Sequence, residues 1–305
     1  MKQEFRPTRL SVCRLLLGFF LCFFALTGRA DASEKPAELL IGLEPEHNIF
    51  DQVERYRVLA AYLSQELGVQ VRLTIMSRYG EVLERFKARH LDGAILSSFT
   101  ATMALKKLEL EPVARFVNQQ HDAFTQGYIF VRRDSGIKKV EDMKGQSIVF
   151  VDPATTEGYL FPMVFLRDHG VEDIGKYFRE YYFSGSHASA IFAVLDGKAD
   201  IGCAKSSVFN RLTDHDPSIK KDLEIIAESP RVPETTLCIR KDLPADIKQK
   251  LLSILLIMDK IESGTEVLRK IETLRFINAK ESDFSIVSDM IDTLENQYPD
   301  DRHLR

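Results

Sequence analysis

From Glu38 onward, short apolar runs alternate with stretches in which apolar residues recur at helical spacing. Leu39-Leu40-Ile41-Gly42-Leu43, followed by Pro45, has the length and continuity of a buried parallel strand. Asp51 can cap a helix whose apolar face is Val53, Tyr56, Leu59, Ala60, Leu63 and Leu67, with Gly68 stopping it. Val69, Val71, Leu73 and Ile75 then alternate as a strand, Val82, Leu83 and Phe86 share a helical face, and Asp92-Gly93-Ala94-Ile95-Leu96 is a further strand. This β-α-β-α-β order places the loops that follow the strands along one edge of a sheet.

The same grammar returns. Ser147 to Val151 reads as a strand, Gly158 to Asp168 as a helix, Tyr181-Tyr182-Phe183 as a strand and His187 to Leu195 as a helix, and the chain then enters Asp200-Ile201-Gly202-Cys203-Ala204. Each block feeds a helix into a short strand opened by an aspartate, Asp92 in one and Asp200 in the other. The pattern predicts two similar α/β lobes, each a mostly parallel sheet flanked by helices. Asn118 to Asp122 and Ser229 to Glu234 are polar or proline-marked stretches suited to crossing between lobes, and Leu237-Cys238-Ile239 with the helix after Pro244 reads as a return to the first lobe. The expected division is 33–122 for the first part of lobe 1, 123–230 for lobe 2, and 231–305 for the return and C-terminal helices. Two crossings leave a cleft that can close by hinge motion. The stretch from Thr273 to Arg305 shows helical spacing at Phe284, Val287, Ile291 and Leu294, then a polar end expected to fray.

The first 32 residues differ in kind. Lys2, Arg6, Arg9 and Arg14 precede an apolar run from Leu15 to Leu26 and the triplet Ala30-Asp31-Ala32, the pattern of a secretory signal cleaved after Ala32 into the periplasm. The run is too short for a bilayer span, which takes about 20 apolar residues. The segment carries five basic and two acidic residues, so its removal takes the formal net charge from −4 to −4 − 3 = −7. An acidic chain of this kind has no basic footprint for nucleic acid. Cys203 and Cys238 remain, too few for a disulfide framework and expected more as buried thiols than as a pair.

Catalytic signatures are missing: there is no nucleophile elbow, no phosphate-binding Gly-Lys-Ser/Thr loop, no dinucleotide fingerprint and no His-Glu-x-x-His. The seven histidines lack ligand spacing, so neither a metal nor another cofactor is expected. Chemistry concentrates where strands end. Asp152-Pro153-Ala154-Thr155-Thr156-Glu157-Gly158 leaves a strand and opens a helix, and hydroxyls beside free amides at a helix N-terminus favour an anion. The same threonines could be ordinary caps. Ser97-Ser98, Ser186-His187 and Lys205-Ser206 also follow strands, the edge at which open α/β sheets bind ligands.

As an ordered set, Ile41-Gly42 with Pro45, Tyr56, Tyr79, Val131 to Ile137, Asp152-Pro153 with Gly158-Tyr159-Leu160, Gly185-Ser186-His187, Ala199-Asp200, Glu228-Ser229-Pro230 and Arg240 to Leu243 resemble the phosphate, phosphite and phosphonate-binding proteins of bacterial ABC importers. The resemblance implies a type II periplasmic-binding, Venus-flytrap fold, a small-molecule oxyanion ligand, a monomer, no catalytic activity, and a membrane permease as partner. A sensor kinase is the alternative partner. It also implies that Thr155 and Thr156 hold the oxyanion, with Tyr79, Ser97 and His187 at ligand-contacting positions. Glu157 stands where that family usually has a small residue or serine. It either faces solvent, complementing the helix dipole, or faces the cleft, where it would favour a ligand carrying an amine or a donor proton.

Overall fold

The computed structural model describes residues 38–46, 49–88 and 90–297. The expected signal segment with its cleavage position, His47, and the polar end from Tyr298 lie outside the described residues. Among the described residues no helix is long and apolar enough to cross a membrane.

Two sheets carry the fold. The first has the order β13-β4-β12-β3-β1-β2, with β1 Glu38–Leu43, β2 Gln70–Ile75, β3 Gly93–Leu96, β4 Leu110–Val117, β12 Thr236–Arg240 and β13 Arg275–Asn278. The second has the order β10-β6-β9-β7-β8, with β6 Gly127–Arg132, β7 Ser147–Phe150, β8 Glu180–Phe183, β9 Ile201–Lys205 and β10 Leu223–Glu228. The α/β expectation holds, but the sheets are mixed and not mostly parallel. Strands β1, β2 and β3 run parallel, as do β7, β8 and β9, whereas β12 joins β3 and β4 antiparallel and β6 joins β9 and β10 antiparallel. The parallel half of each sheet comes from the β-α-β-α-β run, whose helices carry the chain back to the starting edge. The antiparallel half arises because strands that enter from the opposite lobe arrive at the other end.

Each sheet is covered on both faces. Tyr56, Leu59, Leu63 and Leu67 of helix Ile49–Leu67 pack with Leu39, Ile41 and Leu43 and with Leu251 and Leu255 of helix Ala245–Ile257. The other face buries Val82, Phe86, Leu96, Ala101 and Cys238. In the second lobe, Val149 and Phe130 pack against Ala190, Ile191 and Val194 of helix His187–Leu195, and Ile148 and Phe150 pack against Leu160, Met163 and Leu166. Cys203 and Cys238 are buried free thiols on strands of different sheets. The stretch after Thr273 is not helical from its start: Arg275–Asn278 pairs with β4, and helix Ser285–Gln297 follows. That helix sets Val287, Ile291 and Leu294 against Phe99 and Met103 of helix Ser98–Lys107 and against the second lobe.

The chain passes between the sheets through β5 Phe124–Thr125 and β11 Val232–Pro233, which pair antiparallel into a narrow ribbon. The guanidinium of Arg115 lies 4.4 Å from the Phe124 ring centroid and that of Arg231 lies 5.1 Å from it. A short paired ribbon gives hinge-like freedom in one direction while fixing the register of the two lobes.

Candidate functional site

The loops after β1, β2 and β3 meet those after β7, β8 and β9 between the lobes. After β7, the Asp152 side chain accepts the Ala154 amide at 2.8 Å, and the Thr155 hydroxyl donates to the Asp152 carbonyl at 2.6 Å. Thr155 occupies the cap position of the turn Thr156–Leu160, but its hydroxyl caps nothing there. The turn is a π-turn, with the Leu160 amide donating to the Thr155 carbonyl at 3.0 Å, and it runs into helix Phe161–Asp168. Such turns often mark functional sites because they re-aim side chains at a helix start. Gly158 makes this approach possible: a Cβ there would lie 2.5 Å from the Val151 Cβ and 2.7 Å from the Thr155 hydroxyl. Gly127 does the same from the facing strand, where a Cβ would lie 3.1 Å from the Glu157 Cα.

From the first lobe, the Ser98 hydroxyl donates to the Thr156 hydroxyl at 2.8 Å, so the starts of two helices, one from each lobe, touch directly. Ser97 bonds the Thr100 hydroxyl at 3.1 Å, and its amide donates to the Glu44 carboxylate at 2.7 Å. His187 opens the helix after β8. Its Nδ1 accepts the Lys205 amide at 3.1 Å, so the neutral ring carries its proton on Nε2 and presents a donor there. The Tyr79 ring stands edge-on to His187 at 6.0 Å. Burial, with the charges of Glu46, Glu44 and Glu157 behind it, raises the Tyr79 pKa well above the phenol range, so its hydroxyl stays protonated.

Lys205 ends β9 and is buried. Its Nζ donates to Glu46 at 3.1 Å, to Thr235 Oγ1 at 2.8 Å, and to Glu234. Its three protons are therefore committed to the first lobe and the hinge. Burial acts against its charge, but Glu234, Glu46 and Glu157 outweigh it and raise the pKa, so the ammonium persists. Glu44 sits on the other side of this group. Burial, aided by Glu46 and opposed by the Ser97 amide, pushes its carboxyl up to about 8.

Glu157 does not face solvent. It is 1 % exposed, and neither carboxylate oxygen meets hydrogen-bond geometry with any group of the described residues. Burial pushes its carboxyl up to about 7 against the pull of Lys205.

Tyr79, Ser97, Ser98, Thr155, Thr156, Glu157, His187 and Lys205 thus come together, each buried. Ser186 and Ser206 stand apart from them. Ser186 caps its own helix through the Ser189 amide. Ser206 is taken up at the hinge, accepting the Gln126 amide at 2.9 Å and bonding the Thr125 hydroxyl at 3.0 Å. Sequence reading missed Glu44, Glu46, Glu234 and Thr235. The first pair was findable, because Glu44-Pro45-Glu46 leaves β1 as Asp152-Pro153 leaves β7. The second pair was not, because the hinge alone brings Glu234 to Lys205. A pocket of about 560 Å³ opens beside this group, lined by Glu46, Tyr56, Lys205, Arg211, Glu234 and Glu272 among others. Among the described residues no cluster of His, Cys, Asp and Glu could hold a metal ion.

Two hinged α/β lobes that enclose opposed helix starts define a solute-binding protein of the two-lobed periplasmic class. The sequence profile of the family described as ABC transporter, phosphonate, periplasmic substrate-binding protein matches residues 41–284, and the chain belongs to that family. Proteins of this family are ligand-binding components of transport systems that work with a membrane permease. Among relatives, the chain is 26 % identical over 220 residues to a phosphate-import protein of Mycolicibacterium smegmatis, covering 67 % of each. It is 24 % identical to a probable ABC transporter phosphite-binding protein of Prochlorococcus marinus, covering 84 % of this chain and 89 % of that one. The fold matches that of a phosphonate-transporter binding protein of Pseudomonas aeruginosa with a TM-score of 0.78 at 20 % identity, covering 88 % and 90 % of the two chains. It also matches a Prochlorococcus marinus protein solved with methylphosphonate, with a TM-score of 0.76 at 22 % identity and coverage of 86 % and 99 %.

Proposed function

We propose that this protein captures a small oxyanion of the phosphonate, phosphite or phosphate class between its lobes and presents it, as a monomer, to the permease of an ABC importer. Residues 33–122 and 231–305 act as one jaw and 123–230 as the other, after a signal segment is removed behind Ala32. The observation that carries this reading is the meeting of Ser98 and Thr156, at two facing helix starts, beside the hydroxyl of Tyr79 and the Nε2–H of His187. Helix starts offer partial positive charge and unsatisfied amides, which suit an anion without requiring a free cation. Lys205 serves this site as a tie between jaws, since its bonds to Glu46, Glu234 and Thr235 join β9 to the opposite lobe and the hinge. Because the donors are buried, ligand reaches them only when the jaws part, and closing then completes the site.

The protein acts by binding and does not catalyse. The one buried thiol near the cleft, Cys203, is pushed far above the thiol range by burial, and the site offers no activated nucleophile. A thermal-shift panel of phosphate, phosphite, methylphosphonate, aminoalkylphosphonates, sulfate and amino acids tests the reading, since a ligand of the native state raises its melting point by mass action. Phosphorus oxyanions are expected to raise it and amino acids to leave it unmoved. A flat response to every oxyanion would refute the reading.

A further inference from the structure

Every group around the proposed oxyanion position is a donor except one. Tyr79, His187 Nε2, Ser98 and Thr156 can give protons to a ligand, and Glu157 stands among them with a carboxylate that the fold leaves without a hydrogen bond. A buried carboxylate with no partner is costly, and its position asks what it is meant to meet. It cannot be read as half of an ion pair with Lys205, whose protons go to Glu46, Glu234 and Thr235. The charged and titratable groups that act on it are Lys205, Glu234, Glu46 and Tyr79, and three of these four are acids. A fully ionised oxyanion placed beside ionised Glu157 would set two like charges together in a site closed to water.

We propose that Glu157 is a specificity-determining residue that admits an oxyanion only when one proton lies between the two, so that the site takes phosphorus oxyacids and rejects sulfonates and sulfate. The inference rests on the oxyanion reading of the site. The proton balance closes in either direction. A monoanionic phosphonate donates its P–O–H to ionised Glu157, or protonated Glu157 donates to the dianion; the complex holds one shared proton in both cases. Phosphorus oxyacids of this kind lose their second proton at about pH 6 and so supply it near neutrality. A sulfonate has no such proton, and it offers Glu157 only acceptors. Burial, which holds the Glu157 carboxyl at about 7, keeps the group able to play either part.

Methylphosphonate and methanesulfonate differ chiefly in that proton and form the test, with calorimetric titration of wild type, Glu157→Gln and Glu157→Ser at about pH 7. Wild type is expected to prefer methylphosphonate by roughly 100-fold or more, as a site built around a ligand hydroxyl rejects the analogue that lacks it. Both variants are expected to bring that ratio below about tenfold, mainly by gaining methanesulfonate, a gain that mere loss of packing would not produce. An unchanged ratio in folded variants overturns the proposal, as does wild type binding the two ligands alike, which needs no variant to read. Wild type that binds 2-aminoethanesulfonate and refuses methylphosphonate overturns it too, because Glu157 would then be reading an amine. Wild type that binds no phosphorus oxyanion at all brings down the oxyanion reading itself, and the proposal with it.

Discussion

The two lobes repeat one design and spend it differently. In each, a first strand is flanked by the two strands that follow it, giving β3-β1-β2 and β9-β7-β8. In each, an aspartate just before the third strand tethers the first. Asp92 accepts the Leu40 amide at 2.8 Å and meets Arg240 at 3.1 Å, while Asp200 accepts the Ser147 amide at 2.9 Å and its hydroxyl at 2.7 Å and meets Arg179 at 3.3 Å. The strand-end loops then diverge. The first lobe brings carboxylates, Glu44 and Glu46, with Tyr79 and Ser98. The second brings Thr155, Thr156, His187 and Lys205. One jaw therefore carries most of the donors, and the other supplies the charge that holds Lys205 in place. Recurring aspartates are scaffold, and function lies in what differs between equivalent loops.

Lys205 is where breaking the comparison costs most. Lys205→Met leaves Glu46 and Glu234 buried without their cation, and is expected to destabilise the protein by about 3–5 kcal/mol in denaturant unfolding. Adding Glu234→Gln to it should recover part of that loss. A single variant as stable as wild type would mean the tie between jaws contributes nothing.

Next come the two tethers. Asp92→Ala and Asp200→Ala should each cost about 1.5–3 kcal/mol, the range for hydrogen bonds to a charged group, with ligand affinity little changed. Unequal losses, or loss of binding from either one, would break the equivalence drawn between the lobes.

The smallest effect is a pH slope. The folded-state carboxyls of Glu44 and Glu157 are raised to about 8 and about 7 from an ordinary 4.5, so between these values the unfolded chain holds fewer protons than the native one. Stability without ligand should then be full below about pH 4.5 on this account and fall as pH rises through 7 and 8, by at most about 1.4 kcal/mol per pH unit for each group. Thermal melts across that window should show the fall, and Glu44→Gln should flatten the part of it above pH 7. A melting point that climbs from pH 5 to 8 would contradict both assignments.

The parallel half of each sheet was legible because buried parallel strands are continuous apolar runs and their helices keep a 3.6-residue period. Helix His187–Leu195 falls where its spacing placed it. The antiparallel strands β4, β10 and β13 were not, since their apolar positions are interrupted by Pro112, Arg115, Glu224 and Arg275, and their partners lie far away in sequence. Of the site, residues that follow strands could be found by topology. Which of them are consumed locally could not: Ser186 and Ser206 share the strand-end position of His187 and Lys205, yet bond their own neighbourhood. The direction of Glu157 depended on the π-turn, which has no signature in residue spacing.

The central claim is that facing helix starts bind an oxyanion through the hydroxyls of the second lobe. Calorimetric titration of methylphosphonate into wild type and into Thr155→Val with Thr156→Val tests it most directly. Each lost hydrogen bond to a charged ligand group is worth about 1.5–3 kcal/mol, so the folded double variant should bind two or more decades more weakly, at roughly 100-fold higher Kd. An unchanged Kd in a double variant with a wild-type melting profile would contradict the claim.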